Sequence, residues 1–174
     1  AIQDVMGSNP DYLLFESINI RTTPADVVKS LDSAYAWAAK QAQEGRFKVL
    51  VYMTSQANSR AFRDWFSKPE NRAVYIGDTA TIVSDENADA CVAATRDLAK
   101  KYGFPIIDVG PQVDAWLAKN PNASFVPHIQ VDWYHPNWWG AALFAKTIRE
   151  GIAQYWPELP TRPLLIPPVA SGNY

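Results

Sequence analysis

A chain of 174 residues is long enough for one domain with a core of its own. With 48% hydrophobic and 20% charged residues and a formal net charge of −2, its composition is that of an ordinary globular domain. No cluster of Lys or Arg stands out, which sets aside electrostatic nucleic-acid binding, and no apolar run approaches the ~20 residues that span a bilayer. Cys91 is the only cysteine, so an intrachain disulfide and a thiolate metal cluster are both excluded. The start, Ala1-Ile2-Gln3-Asp4, has no basic flank, no apolar core and no initiator Met, so a processed or truncated product is expected rather than a signal peptide.

Tyr12-Leu13-Leu14-Phe15, a continuous apolar run behind Asn9-Pro10-Asp11, reads as a buried strand. Thr23-Pro24-Ala25-Asp26 is a helix start, with Thr as N-cap, Pro in the first turn and an acid beside it. Val27, Leu31, Ala34, Tyr35, Ala38 and Ala42 then repeat at helical spacing up to a stop at Gly45. Residues 47–53 form a second buried strand, 59–66 a short helix and 73–76 a brief strand. Ser84 or Asp85 caps a helix whose stripe runs Cys91, Ala94, Leu98, Tyr102 to a stop at Gly103. Residues 105–109 are a further strand and 113–117 a short helix. Asn137 opens a last helix with Ala141, Phe144, Ala145, Ile148, Ile152 and Tyr155 on one stripe.

Buried strands alternating with amphipathic helices predict an α/β fold of three layers, a doubly wound parallel sheet covered on both faces. Ligands of such sheets sit outside the carboxyl ends of the strands. The domain is expected over residues 1–156. Residues 157–174 are a Pro-rich extended arm, because Pro160, Pro163, Pro167 and Pro168 cannot propagate a helix or a central strand.

With only His128 and His135 in the chain, the search for a general base is short. His135 follows Asp132 by three residues in Asp132-Trp133-Tyr134-His135-Pro136-Asn137. An imidazole that takes a proton from a hydroxyl needs a carboxylate to fix its tautomer and stabilise the imidazolium, and this spacing puts both on one loop. The competing reading is a histidine that merely caps the following helix. His128 with Asp132 and His135 imitates a metal site, but Asp132 cannot serve both roles and no further His or Cys completes one, so no metal or other cofactor is expected. Asp108 ends a strand, where it either faces the cleft or caps the next helix. Trp133, Tyr134, Trp138 and Trp139 bracket His135; some pack under the last helix and others offer an acyl or sugar platform. Asn122-Ala123-Ser124 fits a glycosylation sequon.

The block 132–137, followed by Gly140 and a long amphipathic helix, resembles the last sequence block of the SGNH (GDSL-like) hydrolases, which supplies that family's catalytic Asp and His. Lys100-Lys101-Tyr102-Gly103-Phe104-Pro105-Ile106-Ile107-Asp108-Val109 is similar to the helix and strand ahead of that block, and Pro10-Asp11-Tyr12-Leu13-Leu14-Phe15-Glu16 to the strand leading into the family's G-x-N-D block. That block reads Ser17-Ile18-Asn19-Ile20 here, so the resemblance places the oxyanion-hole amide on Asn19, while Ser17 and Ile20 replace the Gly and Asp. The resemblance covers residues 10–155. It implies a flavodoxin-like SGNH fold, N-terminally incomplete, and a carboxylic-ester hydrolase acting on a small-molecule or glycan ester; the aromatic residues around His135 favour O-deacetylation of a carbohydrate over lipid substrates. His135, Asp132 and Asn19 would be catalytic, Asn19 being otherwise an ordinary turn or capping residue. From their positions beside these residues, Trp133 and Tyr134 are expected to contact substrate, and Arg21 either contacts an anionic or polyol substrate or forms a surface salt bridge.

The family's Gly-Asp-Ser block has no counterpart before Asn19. Ser8 precedes the strand instead of following it, Gly77-Asp78-Thr79 would need a permuted order and a Thr nucleophile, and nothing marks Ser55 beyond its place after a strand. The serine is therefore expected upstream, on a fragment of the same protein, and the 174-residue chain alone is expected to be inactive. The alternative is a non-catalytic SGNH-like module that binds glycan or assembles in a larger structure, which fits the changed G-x-N-D block. The compartment stays open, with a secreted or periplasmic location favoured over a cytoplasmic one.

Overall fold

A computed structural model of the chain describes residues 7–17, 23–53, 58–71, 85–130 and 135–160. Its elements are β1 (Tyr12–Ser17), α1 (Pro24–Gln43), β2 (Lys48–Met53), α2 (Arg60–Ser67), α3 (Asp85–Lys101), β3 (Ile106–Asp108), α4 (Gly110–Lys119), the single turn α5 (Phe125–His128) and α6 (Trp138–Tyr155). The expected strand at residues 73–76 and the arm beyond Pro160 lie outside the described residues.

Local signals set most of these boundaries. Thr23 caps α1, its hydroxyl oxygen accepting the Asp26 N–H at 3.2 Å, with Pro24 in the first turn. Ser59 caps α2 in the same way, accepting the Phe62 N–H at 3.2 Å. Gly45 and Gly103, both at positive φ, turn the chain out of α1 and α3 towards the next strand.

The three described strands are parallel and ordered β1-β2-β3. α1 and α3 pack on one face, where Tyr35, Ala38, Leu98 and Ala99 meet Val49, Val51 and Phe104. α6 covers the other, with Ile148 and Ile152 against Leu50, Ile107 and Trp156. β2 is therefore buried on both sides, which is why its sequence shows no polar alternation. A third cluster lies where β2 and β3 end: Met53 and Val109 pack with Phe62, Phe66, Val113, Phe125, Ile129 and Leu143.

Of the stripe expected for α6, Phe144, Ile148 and Ile152 pack on the core, but the most buried face is rotated away from its other members. Ala141, Ala145 and Tyr155 are exposed, while Trp139, Gly140, Leu143 and Thr147 are buried. Gly140 lies on the Ile129 carbonyl and Gly151 on the Ile107 side chain, so the helix comes closest to the domain through residues without side chains. Those contacts fix its rotation and leave no apolar signature in the sequence.

At the amino ends of the strands, Trp156 sets its ring against Tyr12 with centroids 4.9 Å apart. Glu158 accepts the Tyr12 hydroxyl at 3.1 Å and pairs with Lys48. The Lys48 ammonium, and after it the residue's own backbone N–H, hold the Glu158 carboxyl below the usual glutamate range. A depressed carboxyl contributes stability above its unfolded pKa and loses it as pH falls through the folded one. Glu158→Gln is thus expected to lower stability slightly at neutral pH, the pair being largely solvated, and to leave it unchanged at pH below the folded carboxyl's titration, so that the acid limb flattens. Urea midpoints across the acid range check this; a parallel shift of the whole curve would contradict it.

Candidate active site

His135 stands in the connection between α5 and α6, with an exposed side chain. Both ends of this connection are held. Gln130 and Pro136 form an antiparallel bridge, and the Asn137 N–H donates to the Ile129 carbonyl at 3.0 Å. The Asn137 side chain works in two directions: its oxygen accepts the Gly140 N–H at 2.9 Å as the N-cap of α6, and its amide donates to the Pro127 carbonyl. Ile129 and Gln130 are fully buried. Because Ile129 shares a cluster with Met53 and Val109, the loop departs from the carboxyl ends of β2 and β3.

Asp132, Trp133 and Tyr134, on this loop, lie outside the described residues, as do Asn19, Arg21, Ser55 and Thr79. What the structure fixes is where their segments begin. β1 ends at Ser17, two residues before Asn19, and β2 ends at Met53, two before Ser55. β1 and β2 are in parallel register to their last pair, Ser17 with Met53, so both segments leave from the same edge of the sheet.

Asp108, at the end of β3, does not cap the next helix. Val109 occupies the cap position of α4 without a side-chain bond. The Asp108 carboxylate instead accepts Asn58 Nδ2 at 2.9 Å and Arg96 Nη2 at 3.0 Å, tying β3 to α3 and to the entry of α2. Gly110 permits this, because a Cβ there would lie under 3.0 Å from three backbone atoms of the Asn58–Ser59 peptide. The start of α2 is capped from a distance by Asp114, which accepts the Arg60 N–H at 2.7 Å, the Ala61 N–H at 3.0 Å and the Ser59 hydroxyl at 2.7 Å. Removing that carboxylate strands two helix N–H groups, so Asp114→Ala is expected to cost about 2 kcal/mol. A lower urea midpoint at unchanged m is the readout; an unmoved midpoint would show that solvent replaces the cap.

A serine and a histidine do meet, in a pairing that the sequence reading, which weighed His128 for a metal and Ser124 in a sequon, did not single out. Ser124 Oγ lies 3.2 Å from His128 Nδ1. The pair has the composition of a nucleophile and base but not their arrangement. Nδ1 already accepts the Ser124 backbone N–H at 3.0 Å, and the hydroxyl donates to the Val126 carbonyl at 2.5 Å. The proton of the neutral ring is thereby assigned to Nε2, and the pair closes the single turn of α5. Cys91 is buried, and burial pushes its thiol up. Among the described residues no group of three or more His, Cys, Asp or Glu is placed to hold a metal ion.

Trp138 and Trp139 stack with centroids 4.7 Å apart; Trp139 is buried and Trp138 is 52% exposed. One aromatic face is therefore open to solvent three residues from His135.

The sequence matches no known family model, and comparison with characterised proteins finds no match.

Proposed function

We propose that the chain is the acid–base part of an SGNH-type ester hydrolase. One observation carries the reading: the loop that begins after Gln130 and holds Asp132 and His135 is clamped at both ends beside the carboxyl edge of a parallel sheet. Ligands of such sheets bind outside that edge, and a base must be held rigidly to act. The segment carrying Asn19 leaves from the same edge. The strand order β1-β2-β3 also agrees with the last three strands of a flavodoxin-like sheet.

In this scheme a serine supplied by upstream sequence attacks the acyl carbonyl. His135 takes the serine proton and returns it to the departing alcohol, while Asp132 orients the ring and stabilises the imidazolium. The Asn19 amide donates to the oxyanion. Carbohydrate is the favoured leaving group because the exposed Trp138 face suits a sugar ring.

A fluorophosphonate probe tests the proposal on the product of the complete reading frame. Covalent labelling of one serine is expected, together with its loss in His135→Ala and no labelling of the 174-residue chain alone. A complete product that resists the probe would instead favour a glycan-binding module of the same fold.

A further inference from the structure

The ends of the His135 connection rest on a short run of backbone. The Pro127 carbonyl accepts the Asn137 side-chain amide, the Ile129 carbonyl accepts the Asn137 N–H, and Gln130 bridges to Pro136. Gly140 lies on the same Ile129 carbonyl. Residues 124–130 are therefore a platform, and His135 is held only as firmly as the platform is.

The platform is closed in two ways. Phe125 and Ile129 bury their side chains in the cluster at the strand ends, and the Phe125 carbonyl accepts the Ile129 N–H at 2.9 Å and the Gln130 N–H at 3.0 Å. The second closure comes from a side chain. Ser124 stands at the cap position of α5 but makes no cap bond, because its hydroxyl donates to the Val126 carbonyl. The turn is closed from its other end instead: His128 Nδ1 accepts the Ser124 N–H at 3.0 Å. In the chain His128 stands between Pro127 and Ile129, the two residues whose carbonyls hold Asn137.

We propose that His128 is a positioning residue for His135: its Nδ1, by holding the Ser124 N–H, keeps the Pro127 and Ile129 carbonyls where Asn137 needs them. The effect on rate rests on the reading of His135 as a base; the effect on how the His135 ring is held does not.

Three substitutions test the role. Asparagine carries an acceptor oxygen as far from the backbone as Nδ1, glutamine carries its own one bond further out, and alanine has none. The chain has two histidines, so each variant leaves His135 as its sole imidazole, and His135→Ala assigns the wild-type signal. In the 174-residue chain, at one pH and well below the melting temperature, the His135 Cε1–H resonance of His128→Asn is expected at the wild-type position. In His128→Gln and His128→Ala it is expected to move towards the free-histidine position or to split. In the complete protein, kcat for ester hydrolysis is expected to fall about 10–100-fold in the alanine and glutamine variants, with KM within about threefold of wild type. His128→Asn is expected to keep kcat within about threefold. An unmoved resonance in His128→Ala overturns the inference, as does an asparagine variant that behaves like alanine or a glutamine variant that behaves like wild type. Should alanine unfold the chain, the asparagine–glutamine pair makes the same decision. A complete wild-type protein without esterase activity sinks the catalytic reading alone, and the resonances still decide this one.

Discussion

Alanine at position 140 is expected to lower the melting temperature by roughly 5–10 °C, from a net cost of about 2–3 kcal/mol. A Cβ there would lie under 3.0 Å from both the carbonyl carbon and the oxygen of Ile129, which are backbone atoms and cannot swing aside. The same oxygen accepts the Asn137 N–H, so moving it breaks the bond that closes the His135 loop. Against this, alanine recovers at most about 1 kcal/mol of helix propensity, less than the cost of overpacking. Gly151→Ala meets only the Ile107 side chain and should cost less, because a side chain can rearrange. Equal melting points for wild type and Gly140→Ala would show that the loop and α6 are not held as described.

In the complete protein, His135→Ala is expected to reduce ester hydrolysis by at least about 10⁴-fold, and Asp132→Asn by about the same factor. The first removes the base. The second leaves an amide that holds the imidazole in the wrong tautomer and cannot balance the imidazolium. His135 is exposed and its neighbour Asn137, not the imidazole, caps α6, so the melting temperature of His135→Ala should stay within a few degrees of wild type. That separates a catalytic role from the helix-capping one that the spacing alone also allows. A large fall in both melting temperature and rate would assign His135 to the fold instead.

The sequence was most legible where the cause of a structure lies within one turn. The Thr23 cap, the glycine stops after α1 and α3, and the two-sided burial of β2 are all set by neighbours in the chain. Contacts between distant residues were not legible. The Asp114 carboxylate caps a helix that starts 54 residues earlier, and no pattern around Asp114 announces it. Asp108 looked like a local cap but is claimed by Asn58 and Arg96, on segments that only the folded sheet brings to it. The rotation of α6 was missed for a different reason: Gly140 and Gly151 make the closest approach, and a search for apolar side chains passes over them. At the candidate site the Asp132–His135 spacing was visible at once, whereas the clamp on the ends of their loop, from Gln130, Pro136 and Asn137, appears only in three dimensions.

The central claim is that Asp132 and His135 act as one unit, and a double-mutant cycle on ester hydrolysis by the complete protein tests it most directly. If they do, Asp132→Asn combined with His135→Ala is no slower than His135→Ala alone, because a carboxylate without its imidazole has nothing left to orient. Losses that multiply, or a rate that neither substitution changes, would contradict it.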